Sequence, residues 1–110
     1  VWRLPIMQDG TVSKVGLFVQ LQGSLGGPDG LAMDVEGNLT VCQAGMGSAW
    51  QFSHLGEPRW RIRSCTSGLT TTNLAYGGPD NRQLFITESD TGTILRADLD
   101  VAGQPMYSHM

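Results

Sequence analysis

The sequence has little of what most functional classes require. Its 110 residues hold two cysteines and two histidines, His54 and His109, with no Cys/His spacing suited to zinc. Cys42 and Cys65 each lie inside an apolar strand pattern, which reads as two reduced cysteines serving as small buried hydrophobes rather than a disulfide. No apolar run approaches the roughly 20 residues of a membrane span, and the longest, Val15 to Val19, already contains Gly16. Seven Lys and Arg against ten Asp and Glu give a formal net charge of −3 with no basic cluster, so neither nucleic acid nor membrane is an expected partner. No Gly-x-Ser-x-Gly or similar motif supplies a nucleophile for either histidine, which excludes a recognisable catalytic triad. No signal peptide can be read at the N-terminus. The chain opens on Val1 without an initiator Met, which reads as a fragment or processed piece, and the expected compartment is the cytoplasm.

What is present is turn chemistry. Fifteen glycines and five prolines, with no long stretch of period 3.6, predict short strands joined by turns. Strands are expected at Val1 to Ile6, Val15 to Leu21, Leu31 to Val35, Asn38 to Gln43, Ala49 to Ser53, Arg59 to Ser64, Thr71 to Tyr76, Gln83 to Thr87 and Thr93 to Leu99. The breakers between them, such as Gln8-Asp9-Gly10, Glu36-Gly37-Asn38 and Pro79-Asp80-Asn81, suit turns. Trp50, Phe52 and Trp60 alternate with polar residues on neighbouring strands, a pattern of packing rather than of a ligand platform.

The pattern repeats. Leu31-Ala32 and Leu74-Ala75 open two parallel segments, Leu39-Thr40-Val41-Cys42 matches Leu84-Phe85-Ile86-Thr87 at a separation of 45, and Gly47-Ser48-Ala49-Trp50 matches Gly92-Thr93-Ile94-Leu95 at the same separation. Four-stranded propeller blades repeat at about 40 to 45 residues. The expected fold is therefore all-β, a partial β-propeller of about two and a half blades: a trailing hairpin over 1–25, a full blade over 26–68 and most of another over 69–110. A small β-sandwich is the alternative, and the repeat counts against it. Closed propellers have about 4 to 8 blades, so further blades are expected from a parent chain or from self-association.

One motif carries chemistry. Gly26-Gly27-Pro28-Asp29-Gly30 precedes a strand and predicts a buried carboxylate on a tight, glycine-flanked corner, a candidate metal ligand or general base. A turn residue capping its own backbone is the bland alternative for Asp29. The near-copy Gly77-Gly78-Pro79-Asp80 continues into Asn81-Arg82, so one copy is expected to be chemical and the other a surface turn.

The run Gly26 to Asp34, Glu36-Gly37-Asn38-Leu39, Thr70 to Asp80, Leu84 to Ser89 and the tail Ile94 to Leu99 together resemble the gluconolactonase, senescence marker protein (regucalcin) and luciferin-regenerating enzyme family, in its C-terminal portion. The resemblance implies a six-bladed β-propeller whose central channel holds one divalent cation, calcium first, with zinc, magnesium or manganese as alternatives. It implies hydrolysis of a sugar lactone, with Asp29 as both metal ligand and catalytic base. A hard cation suits oxygen ligands and lowers the pKa of bound water. The family's other ligands, a glutamate and an asparagine of earlier blades, have no counterpart among these residues, and one carboxylate makes a poor metal site. Where family lactonases often carry Ala-His-Trp, this chain has Cys42-Gln43-Ala44, which implies a roomier channel wall.

Asn73, at the start of an inner strand, is a candidate substrate-binding amide, as is Gln43 on the channel wall. A strand-end hydrogen bond is the alternative for Asn73. Glu88 reads as a solvated loop acid, and Asp34 and Glu36 as turn acids without chemistry. The reading is a lactonase segment supplying part of a site for a small-molecule lactone. The alternative is a non-catalytic propeller segment that binds a partner or self-assembles.

Overall fold

The computed structural model describes all of residues 1–110 and shows nine strands in three antiparallel sheets. Strands β1 (Trp2–Arg3) and β2 (Gly16–Leu17) form a two-stranded ribbon. Strands β3 (Pro28–Met33), β4 (Leu39–Gln43), β5 (Ser48–Phe52) and β6 (Pro58–Arg63) pair in sequence order as a four-stranded sheet. Strands β7 (Thr71–Gly77), β8 (Gln83–Glu88) and β9 (Thr93–Asp98) form a three-stranded sheet. The 45-residue repeat is thus a repeat of up-and-down sheets, one complete blade followed by one that lacks its fourth strand, and the fold is a partial β-propeller.

The two larger sheets pack face to face, because period-2 alternation sends one set of side chains from each into a common core. Cys42 and Ala49 from the first sheet meet Leu74, Leu84, Ile86 and Leu95 from the second, with Ala32, Ile62, Tyr76, Ala97 and Leu99 at the margin. In β8 the inward positions are Leu84, Ile86 and Glu88, all buried, while Phe85 and Thr87 face outward. β4 is buried along its whole length. The outward face of the second sheet carries large exposed apolar groups, Phe85 and Ile94.

Several expected strands are redrawn. Val1 to Ile6 and Val15 to Leu21 shrink to two residues each, because their sheet has no further strands to pair with and Trp2, Leu4 and Ile6 stay exposed. The strand expected at Leu31 begins three residues earlier, at Pro28, and ends before Asp34. Asp34 is buried and stops the strand by accepting hydrogen bonds from Glu36 N (2.9 Å), Asn38 N (2.9 Å) and Asn38 Nδ2 (2.8 Å). The expected turn acid is therefore a turn-closing one, as is usual for aspartate.

Glu88 departs further from expectation. It is 1% exposed, not solvated. Its carboxylate accepts from Asp90 N (2.7 Å), Thr91 N (3.0 Å), Thr70 N (3.3 Å) and the Thr91 hydroxyl, and a side chain on Gly68 would collide with it. Beside it Asp90 accepts from Leu69 N and Thr70 Oγ1, both at 2.9 Å. The two acids pin the 64–70 connection between the blades to the β8–β9 turn. The hydroxyl of Thr91, ahead of the backbone donors, holds the Glu88 carboxyl below its ordinary pKa. A depressed folded pKa contributes stability that is present above the unfolded value and is lost as pH falls through the folded one. Glu88→Gln is therefore expected to lower Tm at pH 7 and to flatten its decline below about pH 4.5, as measured by thermal melts across pH; an unchanged acid limb would contradict this role.

Candidate functional site

Asp29 lies inside β3 rather than on a corner before it. Between Pro28, opposite Gln43, and Leu31, opposite Val41, β3 takes three steps against two on β4, so Asp29-Gly30 forms a β-bulge. A bulge leaves its extra residue unpaired and re-aims its side chain. Asp29 is correspondingly exposed, which corrects the expectation of a buried carboxylate, and it enters none of the three ion pairs. β7 has its own register shift between Thr71 and Asn73, 43 residues on, the same separation as Leu31 and Leu74. Both inner strands are thus bulged at equivalent points.

Gly30 explains why glycine stands in this motif. Its backbone does not adopt positive φ, so sharp turning is not its function. Instead β3 passes so close to β7 that a Cβ on Gly30 would run into Asn73 Oδ1 and lie 2.6 Å from Asn73 Cα. Gly26 is held the same way against the Ala44 backbone. This juxtaposition brings Asp29 and Asn73 to neighbouring positions at one end of the inner strands. Asn73 is exposed, and its Oδ1 accepts from Leu74 N (2.9 Å), which leaves the Nδ2 amide as its outward donor. The preceding Thr72 shares a hydrogen bond with Thr87 Oγ1 (2.8 Å), and Thr87 Oγ1 also accepts from Asn73 N (3.1 Å). The triple-threonine run was the sequence signal for this hydroxyl ladder.

Gln43 is not on an open wall. It is 1% exposed, its Nε2 donates to Gln22 O (2.7 Å), and its Oε1 accepts from Trp50 Nε1 (2.8 Å), while the Arg61 guanidinium stacks 5.0 Å from the Trp50 ring centroid. These bonds fasten the segment entering β3 to the blade, a role the sequence did not suggest for Gln43. The second Gly-Gly-Pro-Asp copy lies in the β7–β8 turn, where Gly78 has φ +85° and Asp80 Oδ1 accepts from Arg82 N (3.3 Å), the surface turn expected of one copy.

Residues 101–104 close the other end of the inner strands. Val35 N donates to Ala102 O (2.9 Å), Gly103 N to Asn81 O (2.7 Å) and Gln104 N to Met33 O (2.9 Å), so this segment staples one blade to the next. Beyond it Gln104 to His109 overhang β3 and β7 and line with them an open pocket of about 760 Å³ that reaches Asn73.

No group of three His, Cys, Asp or Glu side chains gathers anywhere in the chain. These residues alone therefore do not fit a cation: Asp29 offers one carboxylate where calcium takes about 6 to 8 oxygens. Nor is Cys42 a soft ligand. Burial first, and the nearby Asp29 charge second, push its thiol up to about 12.

The sequence model described as SMP-30/Gluconolactonase/LRE-like region matches residues 1–90. The chain belongs to this family. Among solved structures, the calcium-binding protein regucalcin from Agrobacterium tumefaciens is similar at 26% identity and a TM-score of 0.76, over 96% of this chain and 41% of that one. A luciferin-regenerating enzyme shares the fold at 21% identity and a TM-score of 0.74, over 92% of this chain and 38% of that one. This family member thus spans about two-fifths of the length of either structure. No curated protein sequence matches it.

Cys42 is buried and Cys65 exposed, and neither is bonded, so Cys65 is not the buried hydrophobe expected. Thiol labelling with a disulfide reagent at pH 8 is expected to modify Cys65 alone in the folded protein, and Cys42 only after denaturation. Equal rates at the two would contradict the placement of Cys42 beneath Asp29.

Proposed function

We propose that the complete protein carrying these residues hydrolyses a lactone, with Asp29 as general base and as one ligand of a divalent cation completed by other blades. Family membership supports this reading, and one observation carries it: the bulge leaves Asp29 exposed, with the next residue, Gly30, packed against Asn73. Calcium is the first choice, since the similar regucalcin is a calcium-binding protein; zinc, magnesium and manganese are the alternatives. When bound, such a cation would supply Lewis-acid polarisation of an ester carbonyl.

The chain's own residues do the following. Asp29 takes a proton from a water whose oxygen attacks the lactone carbonyl carbon. The ring C–O bond then breaks, and the departing ring oxygen takes up a proton, giving the open hydroxy acid. Asn73 Nδ2 donates to a substrate oxygen and orients the ring. Gly30 keeps the two strands close enough for both side chains to act on one ligand.

A second reading, a propeller segment that binds a partner or self-assembles, is favoured by the exposed Phe85 and Ile94 on the last sheet and its unpaired edge β9. The two readings separate at Asp29. In the complete protein, Asp29→Asn is expected to lower kcat/KM for a lactone by about 10²-fold or more with Tm unchanged. Retained turnover would overturn the enzymatic reading and leave the binding one.

A further inference from the structure

The bulge on β7 is held by a side chain. Between Thr71, opposite Glu88, and Asn73, opposite Thr87, β7 takes two steps against one on β8, so Thr72 is the extra residue. The Thr87 hydroxyl spans the place where the register shifts. It accepts from Asn73 N (3.1 Å), donates to Asn73 O (3.3 Å) and shares a 2.8 Å bond with the Thr72 hydroxyl. A hydroxyl has one proton, so Thr72 is the donor in that last bond. Both backbone polar groups of Asn73 thus meet one oxygen. On the other side of the bulge, buried Thr71 ties β7 to the preceding blade by donating to Ser48 O (2.8 Å).

The equivalent position in the first blade, 45 residues earlier, is Cys42, which is buried and has no hydroxyl to offer. The repeat therefore does not require a hydroxyl at this point of a blade, and valine suits an exposed strand position as well as threonine does. What the Thr87 hydroxyl adds is local. With the backbone of Asn73 clasped by Thr87 and its Oδ1 accepting from Leu74 N (2.9 Å), the Asn73 side chain has only Nδ2 left to present. We infer that Thr87 is a positioning residue for Asn73: its hydroxyl fixes the bulge from which the Asn73 amide meets the substrate, without itself touching substrate. The inference rests on the lactonase reading for what Asn73 binds, and on hydrogen bonds within this chain for how Asn73 is placed.

The test uses the complete metal-loaded protein and whichever of glucono-δ-lactone and δ-valerolactone it turns over faster. Thr87→Val is expected to raise KM about tenfold, the worth of about one oriented hydrogen bond, with kcat within about twofold. Thr87→Ser, which keeps the hydroxyl, is expected to stay near wild type, and both variants to keep Tm because Thr87 is exposed. A double-mutant cycle separates positioning from general loosening of the strand. In an Asn73→Ala background, Thr87→Val is expected to change KM by less than about twofold. An effect that persists undiminished in that background, that is absent from Thr87→Val alone, or that Thr87→Ser fails to rescue overturns the inference while leaving the hydrolase intact. If neither lactone is hydrolysed, the lactonase reading fails, and hydrogen exchange at Asn73 N decides the placement. Faster exchange in Thr87→Val, restored in Thr87→Ser, sustains Thr87 as the residue that places Asn73, and an unchanged rate overturns it.

Discussion

The inner strands β3 and β7 approach so closely at Gly30 that no side chain fits between them, and the rest of the site follows from that approach. Because Gly30 gives up its side chain to Asn73, the residue before it can sit on a bulge with its carboxylate free while the core beneath closes over Cys42 and Ala49. Packing and the placement of the Asp29 carboxylate are thus one arrangement. A strand without the bulge would return Asp29 to the ladder, and a larger residue at position 30 would separate Asp29 from Asn73 by parting the blades.

Around this contact, polar side chains carry much of the connection between blades. Thr71 Oγ1 donates to Ser48 O (2.8 Å), and Gln51 Nε2, itself buried, donates to Tyr76 OH (3.3 Å) while its Oε1 accepts from Arg59 Nη1 (2.7 Å). Buried polar groups are tolerated only when satisfied, and no buried side-chain nitrogen or oxygen here lacks a partner. These bonds fix the rotation of one sheet against the other, which an apolar contact of similar area would leave freer. The segment through Gly103, pressed against the Tyr76 ring, completes the fastening at the far end.

Much of the fold was legible because strands and turns speak in local signals: alternation between turn residues marked every strand of both large sheets, and the repeat near 45 grouped them into blades. The trailing hairpin was overdrawn because alternation marks a strand's tendency to pair, and β1 and β2 have no further strands alongside. Asp29 was singled out through its motif, but its setting was misjudged, since a bulge has no signature that separates it from a corner when glycines surround a proline. Gln43 and Glu88 were misplaced for a related reason. Whether a polar side chain faces a channel, solvent or its own chain depends on partners such as Trp50, Gln22 and Thr91, which only the register brings within reach. The role of Gly30 was likewise invisible, because its partner lies 43 residues away in sequence.

The neighbouring glycine supplies the control for the central contact: Gly27 has no atom within 4 Å of a would-be Cβ, and it too lacks positive φ. The direct measurement is the stability and Asp29-dependent activity of Gly30→Ala against Gly27→Ala in the complete protein. Gly30→Ala is predicted to lose roughly 1 to 3 kcal/mol by overpacking and to lose activity with it, while Gly27→Ala stays near wild type in both. Equal behaviour of the two variants would contradict the claim that the approach of β3 to β7 at Gly30 builds the site.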